Sequence, residues 1–180
     1  AAVGVVTLVA SMVRNTDRTL TLVLIGVVIG ALAGAATSLL KVMADPYDQL
    51  PAITFWLLGS LAAITAEDIL PALPMVLAGL VPLALLRWRI NVLSLGDEEA
   101  RALGVEAGRT RLLVIVAATL ITASVTALAG VVGWVGLVIP HIARMLVGPG
   151  FGRLLPASVL IGAGYLLVVD TLARTIAQAE

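Results

Sequence analysis

The chain's one histidine, His141, stands in the run Gly136-Leu137-Val138-Ile139-Pro140-His141-Ile142-Ala143-Arg144, where a proline, an imidazole and a guanidinium interrupt apolar residues. Polar groups at the depth of a hydrocarbon layer are costly and are kept for a reason. A metal centre draws several ligands from histidine, cysteine and carboxylates. One histidine in a chain with no cysteine does not supply that set, so direct metal binding by His141 is rejected. His141 and Arg144 are three residues apart and share a helix face, where they are expected to bond loop carbonyls and fix a short span; a proton relay is the alternative. Asp170 and Arg174, four residues apart, can pair along one helix. Lys41 is the chain's one lysine and lies in no Gly-x-x-x-x-Gly-Lys-Ser/Thr loop, so a nucleotide site would have to come from elsewhere.

The elements that carry these residues follow from composition. Of the 180 residues 61% are hydrophobic and 12% charged, and the mean hydropathy of +1.12 far exceeds that of a soluble domain. Apolar stretches of about twenty residues alternate with pockets of charge, and each is long enough as a helix to cross a core of about 30 Å. An all-α, polytopic bundle in a lipid bilayer is expected. No ten-residue segments alternate at period two, which disfavours a β-barrel. The net charge is zero with no basic patch, which argues against a nucleic-acid partner, and the lack of cysteine removes disulfide and thiol chemistry.

Residues 1 to 13 read as the tail of a truncated span rather than a signal peptide, followed by a loop at Arg14–Arg18. Spans are predicted over Leu20–Leu40, Ile69–Leu86, Leu112–Leu128 and Leu155–Arg174. An interfacial helix is expected over Ala52–Thr65, and Trp134–Val147 is too short to cross alone. This path puts Arg14, Arg18, Arg87, Arg89, Arg101, Arg109, Arg111, Arg144 and Arg153 on one side, with Lys41 and Arg174 on the other. Basic residues favour the cytoplasm, so the Arg87–Arg111 loop is predicted to be cytoplasmic and the chain's end external. Gly26, Gly30 and Gly34 recur every four residues and favour a tight helix crossing. Trp56, Trp88 and Trp134 mark interfaces, and Pro71, Pro74 and Pro82 should bend their span.

Within the cytoplasmic loop, Leu93-Ser94-Leu95-Gly96-Asp97-Glu98-Glu99-Ala100-Arg101-Ala102-Leu103-Gly104 reads as a two-turn helix. Ser94 or Gly96 can start it, the acidic trio complements its positive end, and Gly104 can end it. Its apolar positions Leu95, Ala100 and Leu103 need a surface: either the chain's own bundle or a soluble partner.

Gly133-x-x-Gly136-Leu137-Val138-Ile139-Pro140-His141-x-x-Arg144, then Leu154-Leu155-Pro156, then Asp170-x-x-Ala173-Arg174, with the Leu95-Gly96 to Leu103-Gly104 loop and Phe55-Trp56-x-x-Gly59-Ser60, resemble the permease family of bacterial ABC importers for iron-siderophores, haem and cobalamin, the FecCD type. The resemblance runs from about Leu20 to the end in the family's order. It implies ten spans in a complete permease, of which this chain would hold the end of the fourth through the ninth, as one partial permease domain over 1–180 with a coupling loop at 87–111.

The resemblance further implies residence in the bacterial inner membrane and three protein partners: an ABC ATPase subunit that binds ATP and Mg, an extracytoplasmic solute-binding protein, and a second permease subunit. The chain itself would bind no cofactor and perform no catalysis. Leu95, Gly96, Asp97, Glu98, Glu99, Ala100, Arg101, Leu103 and Gly104 would form the coupling helix. Arg174 would receive the binding protein or merely pair with Asp170. Thr19, Gly26, Gly30, Gly34, Thr37 and Ser38 would line the path, while Gly136, Pro140, His141, Arg144 and Asp170 would be structural. A ferric siderophore is the expected cargo, with haem or cobalamin as alternatives. Two other classes compete. A gradient-driven carrier needs ion ligands near the midplane, for which Asp170 is the one candidate, toward a span's end. An intramembrane enzyme could nominate Ser158, His141 and Asp170, although no nucleophile motif surrounds Ser158.

Overall fold

A computed structural model describes residues 3–4, 18–61 and 64–177, and all regular structure among them is helical. The expected span tail over 1–13 and the turn at 14–17 lie outside the described residues but for 3–4. From Arg18 onward the order is α1 (Arg18–Met43), α2 (Gln49–Leu58), α3 (Ala66–Leu85), α4 (Arg87–Leu93), α5 (Asp97–Ala102), α6 (Ala107–Ala129), α7 (Val135–Val147) and α8 (Phe151–Ala177). Four of these carry stretches long and apolar enough to cross a bilayer: Val23–Met43, Ala66–Leu85, Ala107–Ala129 and Phe151–Ile176. They overlap the four predicted spans, with α6 starting at Ala107 rather than Leu112 and α8 at Phe151 rather than Leu155. At ten and 13 residues, α2 and α7 reach only about 15 and 20 Å.

The chain packs as two units, Ala1–Phe55 and Trp56–Glu180. In the first, the large side chains of α1, such as Val27, Leu32 and Leu40, are exposed. Beyond α1, the Asp45 carboxylate accepts from the backbone N–H groups of Tyr47 (2.8 Å) and Asp48 (3.2 Å), an Asx turn that leads into α2. Pro51 falls in the first turn of α2, where its missing N–H forfeits no helical bond.

In the second unit α3 packs along α6, α7 against α8, and α4 touches α8, α5 and α6. The inner seam of α6 includes Thr110, Ala117 and Ser124, all buried and seven residues, or two turns, apart. Opposite them lies Gly79 of α3, whose added Cβ would stand 2.7 Å from the Ala117 carbonyl oxygen and 2.5 Å from Ile121 Cγ1. The two backbones therefore approach as closely as a glycine permits, the usual basis of helix association where lipid gives no hydrophobic drive.

Two of the boundaries that differ from expectation have a visible local cause. The helix predicted over Ala52–Thr65 ends at Leu58 because Gly59 turns the chain with φ +73°, and the Ser60 N–H donates to the carbonyl of Ala129 at 3.0 Å. Helix α3 starts at Ala66, three residues early. The Asp68 carboxylate accepts from the Thr65 N–H (2.9 Å) and hydroxyl (2.7 Å), so Glu67 and Asp68, which precede the predicted span, lie in the helix's first turn. Helix α3 then runs through Pro71, Pro74 and Pro82 without interruption.

Candidate functional site

The loop expected to be cytoplasmic is mostly helical. Helix α4 occupies Arg87–Leu93, and Ser94 closes it, donating its hydroxyl to the Asn91 carbonyl at 2.6 Å. Gly96, with φ +124°, then precedes α5; of the two expected starting residues it is Gly96 that serves. Asp97, Glu98 and Glu99 fill the first turn of α5 and Arg101 the last, each sign matched to the nearer end of the helix dipole. The helix ends at Ala102, and Gly104 reverses the chain with φ +76°. The Val105 N–H then returns to the Ala100 carbonyl at 2.8 Å.

Packing divides the three apolar positions of this helix. Ala100 is fully buried in a cluster with Val92 and Val105, to which Leu93 adds. Leu95 and Leu103 remain 61% and 52% exposed. The loop helix thus rests on its own bundle through Ala100 and offers two leucines outward. Arg111 Nη2 meets Asp97 Oδ1 at 2.8 Å, tying α5 to the start of α6, and Arg109 pairs with Glu106 at 3.0 Å.

The α7–α8 turn lies at this same end. The Phe151 N–H donates to Asn91 Oδ1 at 2.8 Å, and Arg87, Trp88 and Asn91 line one opening with Gly148, Gly150 and Arg153. Arg153 therefore lies beside Arg87, as the segregation of arginines requires. His141 and Arg144 behave otherwise than expected. Both are exposed, and neither makes a side-chain hydrogen bond or ion pair among the described residues. The cause is helical phase: α7 buries Ile139 and Ala143, one turn apart, which turns positions 141 and 144 away from the bundle. Pro140 is half-buried and Gly136 exposed.

At the opposite end Arg174 Nε meets Asp170 Oδ2 at 2.8 Å, with the arginine side chain half exposed. The pair borders a cleft of about 370 Å³ shared with Gly59, Ser60 and Val132. Ser158 and Asp170 sit 12 residues apart on α8, about 18 Å along its axis, so the nominated hydrolytic set is not assembled. On α1, a Cβ placed on Gly26, Gly30 or Gly34 meets nothing within 4 Å. The hydroxyls of Thr37 and Ser38 donate to the Ala33 and Gly34 carbonyls at 2.9 and 3.0 Å, and the side chain of Thr19 lies outside the described residues.

Gly79, which lies within a predicted span and does carry a close contact, was not among the residues singled out by sequence. The seven-residue recurrence of Thr110, Ala117 and Ser124 on the facing helix was the available signal. Gly130 follows the last residue of α6, and its added Cβ would strike the Trp56 carbonyl oxygen.

The description of the FecCD transport family matches residues 1–180. The chain belongs to that family. Among FecCD relatives, the molybdate import system permease protein MolB of Haemophilus influenzae is 44% identical over 167 residues, covering 92% of this chain and 49% of MolB. The cobalamin import system permease protein BtuC of Halobacterium salinarum is 40% identical over 159 residues, 88% of this chain and 42% of BtuC. A solved structure described as an ABC transporter of the metal-chelate type, inward-facing, superposes with a TM-score of 0.86 at 41% identity, covering 96% of this chain and 55% of that one. The chain thus spans about half the length of the FecCD relatives it matches. It is a multi-pass membrane protein of all-helical fold.

Proposed function

We infer that the chain forms part of the transmembrane subunit of an ABC importer in the cytoplasmic (inner) membrane, with α5 as the element that receives a separate ATPase subunit. The observation that carries this reading is a short helix at the arginine-rich end, anchored through Ala100 and Arg111 yet presenting Leu95 and Leu103 outward. A rigid helix seated between two spans transmits displacement where a slack loop would absorb it. ATP and Mg are held by the partner, and closure of its subunits pushes α5. The Val92–Ala100–Val105 cluster and the Asp97–Arg111 pair pass that motion to α4 and α6, shifting the bundle between inward-open and outward-open arrangements.

At the other end Arg174 supports docking of an extracytoplasmic solute-binding protein through acidic residues on its lobes. A second permease subunit completes the path, to which α1 contributes Thr19, Gly26, Gly30, Gly34, Thr37 and Ser38. A wall of small and aliphatic groups suits a bulky metal chelate, and a ferric siderophore is the first cargo to test, with haem, cobalamin and molybdate as the alternatives that FecCD relatives are named for.

The test is Leu103→Asp in the complete protein. The ATPase subunit should no longer copurify and uptake should fall to background, while Leu103→Met retains both. Normal assembly and uptake in Leu103→Asp would overturn the coupling role.

A further inference from the structure

The end of the bundle that carries α4 and α5 holds a second feature, which neither coupling nor binding-protein docking uses. Arg87, the first residue of α4, and Arg153, in the first turn of α8, flank one opening with Trp88 and Asn91. It adjoins a cleft of about 460 Å³ between α3 and α8, walled by Leu80, Ala84, Leu155, Pro156, Val159 and Leu160, with Arg87 and Gly152 common to both. Leu160 lies eight residues beyond Gly152, about 12 Å along the helix axis, so the apolar part runs from the polar end of the bundle into the depth of the hydrocarbon layer.

The charge at the mouth is uncompensated. Among the described residues Arg87 and Arg153 have no ion-pair partner, as is also true of Arg89, Arg101 and Arg144, but these two share one opening. Of the four acidic residues at this end, Asp97 and Glu106 are engaged with Arg111 and Arg109, and Glu98 and Glu99 belong to the first turn of α5 and do not line the opening. Trp88, 56% exposed, stands at the same level, as aromatic residues do where headgroups begin.

We propose that this cleft holds an anionic phospholipid, its phosphate against Arg87 and Arg153 and one acyl chain along the groove between α3 and α8. Guanidinium groups bind phosphate oxygens through charge-assisted, often paired hydrogen bonds, and basic pockets between helices on the cytoplasmic side favour acidic headgroups. A neutral lipid leaves the two arginines unanswered, and a soluble anion leaves the apolar groove unanswered; one amphiphilic anion satisfies both. The proposal depends on the helices lying in a bilayer and is independent of cargo and of ATPase docking.

The complete protein, reconstituted in nanodiscs of equal parts phosphatidylglycerol and phosphatidylcholine, tests it with Val159→p-benzoyl-phenylalanine as a photo-crosslinker. The adducts should be enriched in phosphatidylglycerol over the bulk ratio. That enrichment should fall about fivefold with Arg87→Gln and by a similar factor again with Arg153→Gln, and Arg87→Lys should retain most of it. Adducts that mirror the bulk lipid ratio overturn the proposal. So do adducts to protein, which would mean that another segment, a second copy or the ATPase subunit fills the groove. Should an arginine variant fail to fold, the adduct ratio on the otherwise unaltered protein decides alone.

Discussion

At the scale of single residues, the sharpest constraints sit on glycines that touch something. Gly130 adopts φ 74°, ψ −160°, a region open essentially to glycine, and its Cβ position is filled by the Trp56 carbonyl. Gly130→Ala is expected to destabilise the protein by about 1–3 kcal/mol, read as a lowered unfolding midpoint in detergent. Gly79→Ala should cost a similar amount, about 1–3 kcal/mol, by forcing α3 off the Ala117 and Ile121 surface. In contrast, Gly34→Ala meets open space and should leave the midpoint of the isolated chain unchanged. These contrasts show what could be read from sequence and what could not. A glycine repeat announces a smooth helix face but not whether anything lies against it. A lone glycine such as Gly79 announces nothing until the facing seam of Thr110, Ala117 and Ser124 is in place. Arg174 poses a related question, since its pair with Asp170 is real yet half exposed. Arg174→Ala should leave thermal stability unaltered while reducing capture of the binding protein by the complete transporter; equal capture would leave the ion pair as its whole role.

At the scale of elements, long apolar runs were legible because twenty residues without charge have few alternatives. Helix ends were less so, because they rest on local hydrogen bonds: the Thr65–Asp68 contacts pull α3 forward, and Gly59 stops α2 short. The loop helix α5 was readable from its acidic first turn and flanking glycines, but not the inward turn of Ala100, which depends on where Val92 and Val105 fall. Nor could spacing reveal that α7 buries Ile139 and Ala143 and so leaves His141 and Arg144 outside. Since Ala100 has no exposed surface, Ala100→Leu must lift α5 from its seat, at about 1–3 kcal/mol. In the complete transporter this variant should uncouple ATP hydrolysis from uptake while the ATPase subunit still binds through Leu95 and Leu103. Asp97→Asn, which breaks a pair exposed by nearly half on each side, should change stability by less than about 1 kcal/mol. Its effect, if the pair relays motion to α6, belongs in coupling efficiency rather than in the unfolding midpoint.

At the scale of the whole molecule, the distribution of arginine ties topology to mechanism. The second unit brings α4, α5 and the α7–α8 turn to one end through the Asn91–Phe151 hydrogen bond, and Gly59, Val132, Asp170 and Arg174 to the other. For the arginines of the second unit, those are the two groupings expected from the count of basic residues. Had α7 turned back instead of running from the Val132 end to the Asn91 end, Arg153 would not lie beside Arg87. These 180 residues contain no cysteine, so once any cysteine elsewhere in the complete protein is replaced, single cysteines can report sidedness without background. In intact cells, Glu98→Cys and Gly150→Cys should resist a membrane-impermeant maleimide and react only after permeabilisation, while Val132→Cys should react from outside at once. Labelling of Glu98→Cys from outside would invert the orientation and separate α5 from any cytoplasmic ATPase. Labelling of Glu98→Cys and Gly150→Cys from opposite sides would instead break the bundle as described, because the turn before α8 and the helix that meets it at Asn91 could not then share an end.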